Sequence, residues 1–220
     1  MINFRNYSTM TECVIPDKVQ LSNTKFGSKF YNMPHLQYTY LSNKITSVGF
    51  AYRNCNRFIG PPACGPNVTN MSSVYMDCKN LTGSPVCGYN VERIDGAYQN
   101  CSNLTGSPVC GPKVTNLYYA YDNCPNLSSG NAYFYSNNIT TVFRCFGNKN
   151  TSNRLNIYLP DKSVSLNCCL ENKAGYSIVG GEVKWTNDVS ANGYYYNTQY
   201  NVYIYPVADV SAVRKINGDE

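Results

Sequence analysis

Residues 67–89 read NVTNMSSVYMDCKNLTGSPVCGY, and residues 90–112 read NVERIDGAYQNCSNLTGSPVCGP. Nine letters, NLTGSPVCG, recur unchanged at 80–88 and 103–111. Leu and Val flank small residues there as in a strand, yet Pro85 and Pro108 interrupt the stretch. Proline lacks a backbone N–H and belongs at the edges or breaks of a sheet. The same step runs outward in both directions. Cys55, Cys78, Cys101 and Cys124 are each 23 residues apart, and Cys64, Cys87 and Cys110 repeat the interval. KVTNLYYAYDNCPNLSSGNAYFY (113–135) follows, and KITSVGFAYRNCNRFIGPPACGP (44–66) precedes. Degenerate copies at 24–41 and 138–160 bring the series to about six units.

Two periods coexist in each unit. Met71, Val74, Tyr75 and Cys78 fall at i, i+3, i+4 and i+7, the apolar face of a short helix, and Ile94, Ala97, Tyr98 and Cys101 repeat it. Leu155, Ile157 and Leu159 alternate with Asn156 and Tyr158, the pattern of a half-buried strand. A short strand plus a short helix per unit predicts one coil of a solenoid, because no such unit buries its apolar face alone.

The pattern V-T-N-M-x-x-V/A-Y-x-x-C-x-N-L-T resembles the BspA-like class of leucine-rich repeat. Ala97–Tyr98 and Ala120–Tyr121 stand at its Ala-Phe positions. Cys78, Cys101 and Cys124 stand at its cysteine, and Leu81, Leu104 and Leu127 at the following leucine. The likeness covers roughly residues 20–160. It departs in having Tyr for Phe and G-S-P-V-C for the regular apolar strand. Similar repeats occur in bacterial surface adhesins and in virion proteins of gut phages, which bind or build and are not generally enzymes. The expected fold class is thus an α/β repeat: a leucine-rich-repeat solenoid of about six coils over 21–160. An N-terminal cap (1–20) and a β-rich C-terminal cap or assembly module (161–220) would flank it.

Charged residues make up only 14% of the chain, while tyrosine alone numbers 21. A net charge of +5 is too small to argue for nucleic acid. The charge is uneven, however: no carboxylate lies between Asp17 and Asp77, where Lys18, Lys25, Lys29, Lys44, Arg53 and Arg57 fall. This basic N-terminal end reads as a solvated surface, with contact to an anionic partner as the alternative. No apolar run is long enough to span a membrane. The first residues lack a basic run followed by an apolar stretch and do not read as a secretory signal.

Eleven cysteines admit three readings: buried free thiols, cross-ladder disulfides such as Cys78 with Cys87, or a metal site. Stacked side chains point the same way, which leaves Cβ atoms too far apart for relaxed disulfides. An odd count and the absence of C-x-x-C argue against full pairing and metal, so free thiols are expected. The adjacent pair Cys168–Cys169 would point to opposite faces of a strand. The single histidine, His35, makes a catalytic triad an unpromising reading. No catalytic, metal or cofactor residues are assigned, and an enzyme is not expected. Recurring Asn-x-Ser/Thr triplets read as turn asparagines followed by a repeat Thr rather than as glycosylation sites.

Tyr52, Tyr75, Tyr98 and Tyr121 belong to the buried stripe. Tyr38, Tyr40 and Tyr158 fall on outward strand positions with Asn156, and Thr82 and Thr105 are the small outward residues of the central copies. These six are the candidate interaction surface, since exposed aromatics anchor sugars and proteins. Past Pro160 the period stops. SIVGGEVKW (177–185) reads as a hairpin and 193–207 as strand, ending near Pro206. The expectation is a structural or adhesion module with protein partners in a larger assembly, or a surface glycan, located in a virion. A bacterial cell-surface adhesin fragment, extracellular, is the alternative.

Overall fold

The computed structural model describes residues 4, 7–59, 62, 64–127, 130–147, 154–160, 186–187, 195–197 and 202–217. Within each copy, the segment expected to be helical is instead a chain of tight turns. The N–H groups of Ala51, Arg53 and Cys55 bond three residues back, to Val48, Phe50 and Tyr52. The intervening N–H groups of Val48, Phe50, Tyr52 and Asn54 leave the copy and bond the carbonyls of Asn70, Ser72, Val74 and Met76 at 2.8–3.0 Å. Met71, Ser73, Tyr75 and Asp77 do the same to the copy that follows. Residues with left-handed backbone recur four apart: Phe50 and Asn54, Ser73 and Asp77, Gly96 and Asn100, Tyr119 and Asn123. A right-handed helix cannot pass through them. Asn and Asp tolerate this conformation, which accounts for their recurrence at 54, 77, 100 and 123.

The expected α/β leucine-rich-repeat solenoid is therefore corrected. Among the described residues the one α-helix is α1 (Val210–Ile216), which lies outside the repeat. The repeat is irregular backbone, and the fold is mostly β and irregular. The apolar spacing misled because turns closed three residues back place i, i+3, i+4 and i+7 on one inner side, as a helix does. A two-turn helix is also marginal by itself, whereas a neighbouring copy supplies a partner for every second N–H.

Successive copies lie one against the next, which we describe as layers. Single parallel bridges run in one file through Lys25, Ser47, Asn70, Arg93, Asn116 and Thr141. Between the layers the rings of Phe30, Tyr52, Tyr75, Tyr98, Tyr121 and Phe146 stack with centroids 5.3–5.6 Å apart. The core holds the expected residues, among them Met71, Val74, Cys78, Leu81, Ile94, Ala97, Cys101 and Leu104.

The opposite side carries the strands. β1 (Glu12–Val14) and β2 (Tyr38–Tyr40) form a two-stranded parallel sheet. The second sheet contains β3 (Val109–Cys110), β4 (Gly130–Phe134), β5 (Leu155–Pro160), β6 (Thr186–Asn187), β7 (Tyr195–Asn197) and β8 (Val202–Val207). Its order is β3-β4-β5-β8-β7-β6; the first four are parallel, and β6 and β7 antiparallel. In β5 the alternation holds: Leu155, Ile157 and Leu159 are buried. β8 runs through Pro206 to Val207 rather than stopping there. The 177–185 hairpin and Cys168–Cys169 lie outside the described residues.

No strand forms over 82–87. Pro62, Pro85 and Pro108 are buried, while Val86 is half-buried. The backbone of this broken rung is satisfied from inside. The Tyr98 hydroxyl donates to the Val86 carbonyl at 2.7 Å and accepts from the Val86 N–H at 3.1 Å. Tyr121 likewise donates to the Val109 carbonyl at 2.5 Å. The two departures from the repeat resemblance, Tyr for Phe and a proline-bearing rung, are thus one compensated change. The ring fills the core and its hydroxyl bonds the backbone of the residue after the proline, Val86 or Val109.

Candidate interaction surfaces

The titratable groups of the layers are committed to one another. Nine cysteines are described and all are free thiols. Cys55, Cys78, Cys101 and Cys124 donate from Sγ to the carbonyls of Phe30, Tyr52, Tyr75 and Tyr98 in the preceding layer, at 2.9–3.0 Å. Those of Tyr52, Tyr75 and Tyr98 also accept the N–H of Cys55, Cys78 and Cys101, so the thiol takes a second lone pair. Burial pushes the Cys55 thiol up to about 11 and Cys124 up to about 12, the backbone bonds opposing this more weakly. Burial likewise holds Tyr98 and Tyr121 well above the usual phenol range. Protonated thiols are poor nucleophiles and poor metal ligands.

The acidic groups on the turns are held between layers. Asp95 accepts from Ser72 Oγ at 2.8 Å and takes Arg93 on both carboxylate oxygens. Asp77 accepts from Asn100 Nδ2 at 2.7 Å and pairs with Arg53 at 3.8 Å. Asp122, buried, accepts from Gln99 at 3.0 Å and from the Arg144 guanidinium at 3.1 Å. His35 lies 3.3 Å from Arg57. No cluster of described residues could hold a metal ion.

The basic end is partly tied down. Arg53 faces Asp77 and the Tyr31 ring, Lys44 donates to the Val19 carbonyl and Arg57 meets His35. Lys25 sits on the bridge file and is exposed, and Lys29 is half-buried. Residues 1–60 carry seven Lys/Arg against two Asp/Glu, so the whole net charge belongs to this end. The carbonyls of Asn70, Ser72, Val74 and Met76 face this end, while those of Thr46, Tyr52 and Tyr75 face the following copy.

The six outward residues do not converge. Tyr38 and Tyr40 are 53% and 45% exposed on β2, beside Val14 of β1. Thr82 and Thr105 are exposed on the broken rungs. Asn156 and Tyr158 lie five layers from Tyr38, roughly 24 Å at a strand spacing of about 4.8 Å. Tyr158 is half-buried between the rings of Tyr133 and Tyr205, at 5.4 and 5.0 Å. Asn156 donates to Asn131 and accepts from Arg154. Arg154 lies 3.7 Å over the Tyr203 ring and bonds the Tyr205 hydroxyl.

This outward row is covered. Tyr133 is fully buried although its β4 neighbours Ala132 and Phe134 supply the core side. Above it, α1 places Asn217 Nδ2 3.0 Å from the Tyr133 hydroxyl and Arg214 5.8 Å over its ring. Sequence reasoning missed α1, Tyr133 and Arg154. The signals for α1 were present: Asp209 as N-cap, accepting from Ala212 N at 3.1 Å, and Arg214 and Lys215 in the last turn. No protein-family model, curated protein or solved structure matches this chain.

Proposed function

We propose that the chain is a non-enzymatic structural or adhesion protein, a component of a phage particle or tail that mediates assembly or surface attachment. One observation carries this reading: the Cys55, Cys78, Cys101 and Cys124 thiols and the Asp77, Asp95 and Asp122 carboxylates are spent on bonds between layers. Catalysis needs groups held ready for substrate at shifted but accessible pKa values, whereas these thiols are shifted by burial and bonded to backbone. The likeness to adhesin and virion repeats supports the same reading. The exposed Tyr38–Tyr40 pair favours a second version, a surface adhesin fragment that recognises host protein or glycan.

Sedimentation velocity with negative-stain microscopy tests the first version, and a glycan array with Tyr38→Ala/Tyr40→Ala as control tests the second. Ordered oligomers or tyrosine-dependent glycan binding support the proposal. A persistent monomer with no surface partner, or turnover lost on mutating one described thiol, overturns it.

A further inference from the structure

We propose that α1 is an exchangeable element, and that the row Tyr133–Tyr158–Tyr205 is the surface that receives α1 of a second copy of this chain. The inference rests on the assembly reading above and names its contact.

The occupant is the one whose fit the structure displays. α1 follows β8, lies near β5 and β4, and covers Tyr133, the buried end of an outward row of stacked tyrosines. Among the described residues its links include Asn217 to the Tyr133 hydroxyl, Arg214 over the same ring, and the buried Val210, each of which another copy could reproduce. Seven residues make a helix too short to persist alone, so it stays ordered only where such a row holds it. Ile216 at its far end is 84% exposed. The connection from β8 is Ala208 and Asp209, both exposed. Exchange of an identical element between protomers keeps every contact and needs only the hinge to open, and short hinges promote it. Reciprocal exchange closes a two-fold dimer, whereas one-way exchange leaves an unfilled row and continues into an open chain.

The test uses the full chain and two variants in sedimentation velocity. The receiver ends at Ala208 and so has a bare row. The donor carries Tyr133→Ala, which keeps α1 but damages its own row. Far-UV circular dichroism verifies folding of each, and full-length Val210→Asp serves as the receiver if the truncation does not fold. Mixing donor and receiver is expected to give a 1:1 complex that neither forms alone. Arg214→Glu in the donor should weaken it roughly three- to tenfold. No complex at the highest soluble concentration, or one that survives Tyr133→Ala in the receiver, overturns the inference. If the full chain assembles equally well without α1, the exchange fails while the assembly reading stands. If the pair forms but the full chain neither assembles nor binds a surface, the reading fails and the exchange stands.

Discussion

Removing one oxygen from Tyr98 tests how the broken rungs are held. Tyr98→Phe leaves the ring between Tyr75 and Tyr121, 5.6 Å from each, so no cavity larger than a hydroxyl opens. It deletes two bonds, the donation to the Val86 carbonyl at 2.7 Å and the acceptance from its N–H at 3.1 Å. A net hydrogen bond contributes about 1 kcal/mol, and a buried partner left unsatisfied costs about 1–3 kcal/mol. Val86 is half-buried, so water recovers part of the loss. The expected cost is about 2 kcal/mol, a fall in Tm of roughly 4–8 °C for a chain of this size. Tyr52→Phe is the control, because among the described residues its hydroxyl bonds Thr39 Oγ1 at 2.7 Å and no backbone group, and should cost about 1 kcal/mol or less. Urea unfolding at constant m-value gives both numbers, and hydrogen exchange at the Val86 amide should speed up in Tyr98→Phe alone. The reasoning is refuted if Tyr98→Phe costs no more than Tyr52→Phe, or if Val86 exchange is unchanged.

Other expectations follow from the same layers. A Cβ on Gly147 would lie 2.2 Å from Asp122 Oδ1 and 2.9 Å from Arg144 Nε, so Gly147→Ala should break the buried ion pair. The cost should reach about 3 kcal/mol by chemical denaturation, and a near-neutral result would show that the pair has room to move. Asn100 has φ +63°; Asn100→Val should therefore destabilise by about 1–2 kcal/mol more than Asn100→Gly, measured by thermal melts of both. The Cys55 and Cys124 thiols, raised by burial, stabilise the fold fully below the ordinary thiol value of 9.0 and lose that stability as pH climbs through about 11–12. Stability should therefore fall steeply above pH 9, by up to about 1.4 kcal/mol per pH unit for each such group, and a flat urea midpoint from pH 8 to 11 would contradict this. Native protein at neutral pH should leave Cys55, Cys78, Cys101 and Cys124 unlabelled by a thiol reagent, while all 11 cysteines react in denaturant.

The amino-acid sequence by itself determined the period and the inner residues. A 23-residue repeat whose apolar positions recur in register can bury them only against its own copies, so Met71, Val74, Tyr75, Cys78 and Leu81 had to face inward whatever the backbone did. Identical cysteines in stacked positions point the same way, which argued against disulfides within a ladder, while the free state of the nine described thiols came from the structure. The backbone of the repeat was not legible, because helix and turn chain share the same inner spacing. What separates them is the partner of Val48, Phe50, Tyr52 and Asn54 N–H, a choice between the same copy and the next. The asparagines at 54, 100 and 123 hinted at left-handed backbone, but only the neighbour's carbonyls make it favourable. The outward surface was decided in the same way. Tyr40 and Tyr158 look alike in sequence, both aromatic on alternating strands, yet one is 45% exposed and the other is half-buried between the rings of Tyr133 and Tyr205, with α1 over Tyr133. That covering contact joins Tyr133 to Asn217 across 84 residues, a proximity that tertiary structure alone creates.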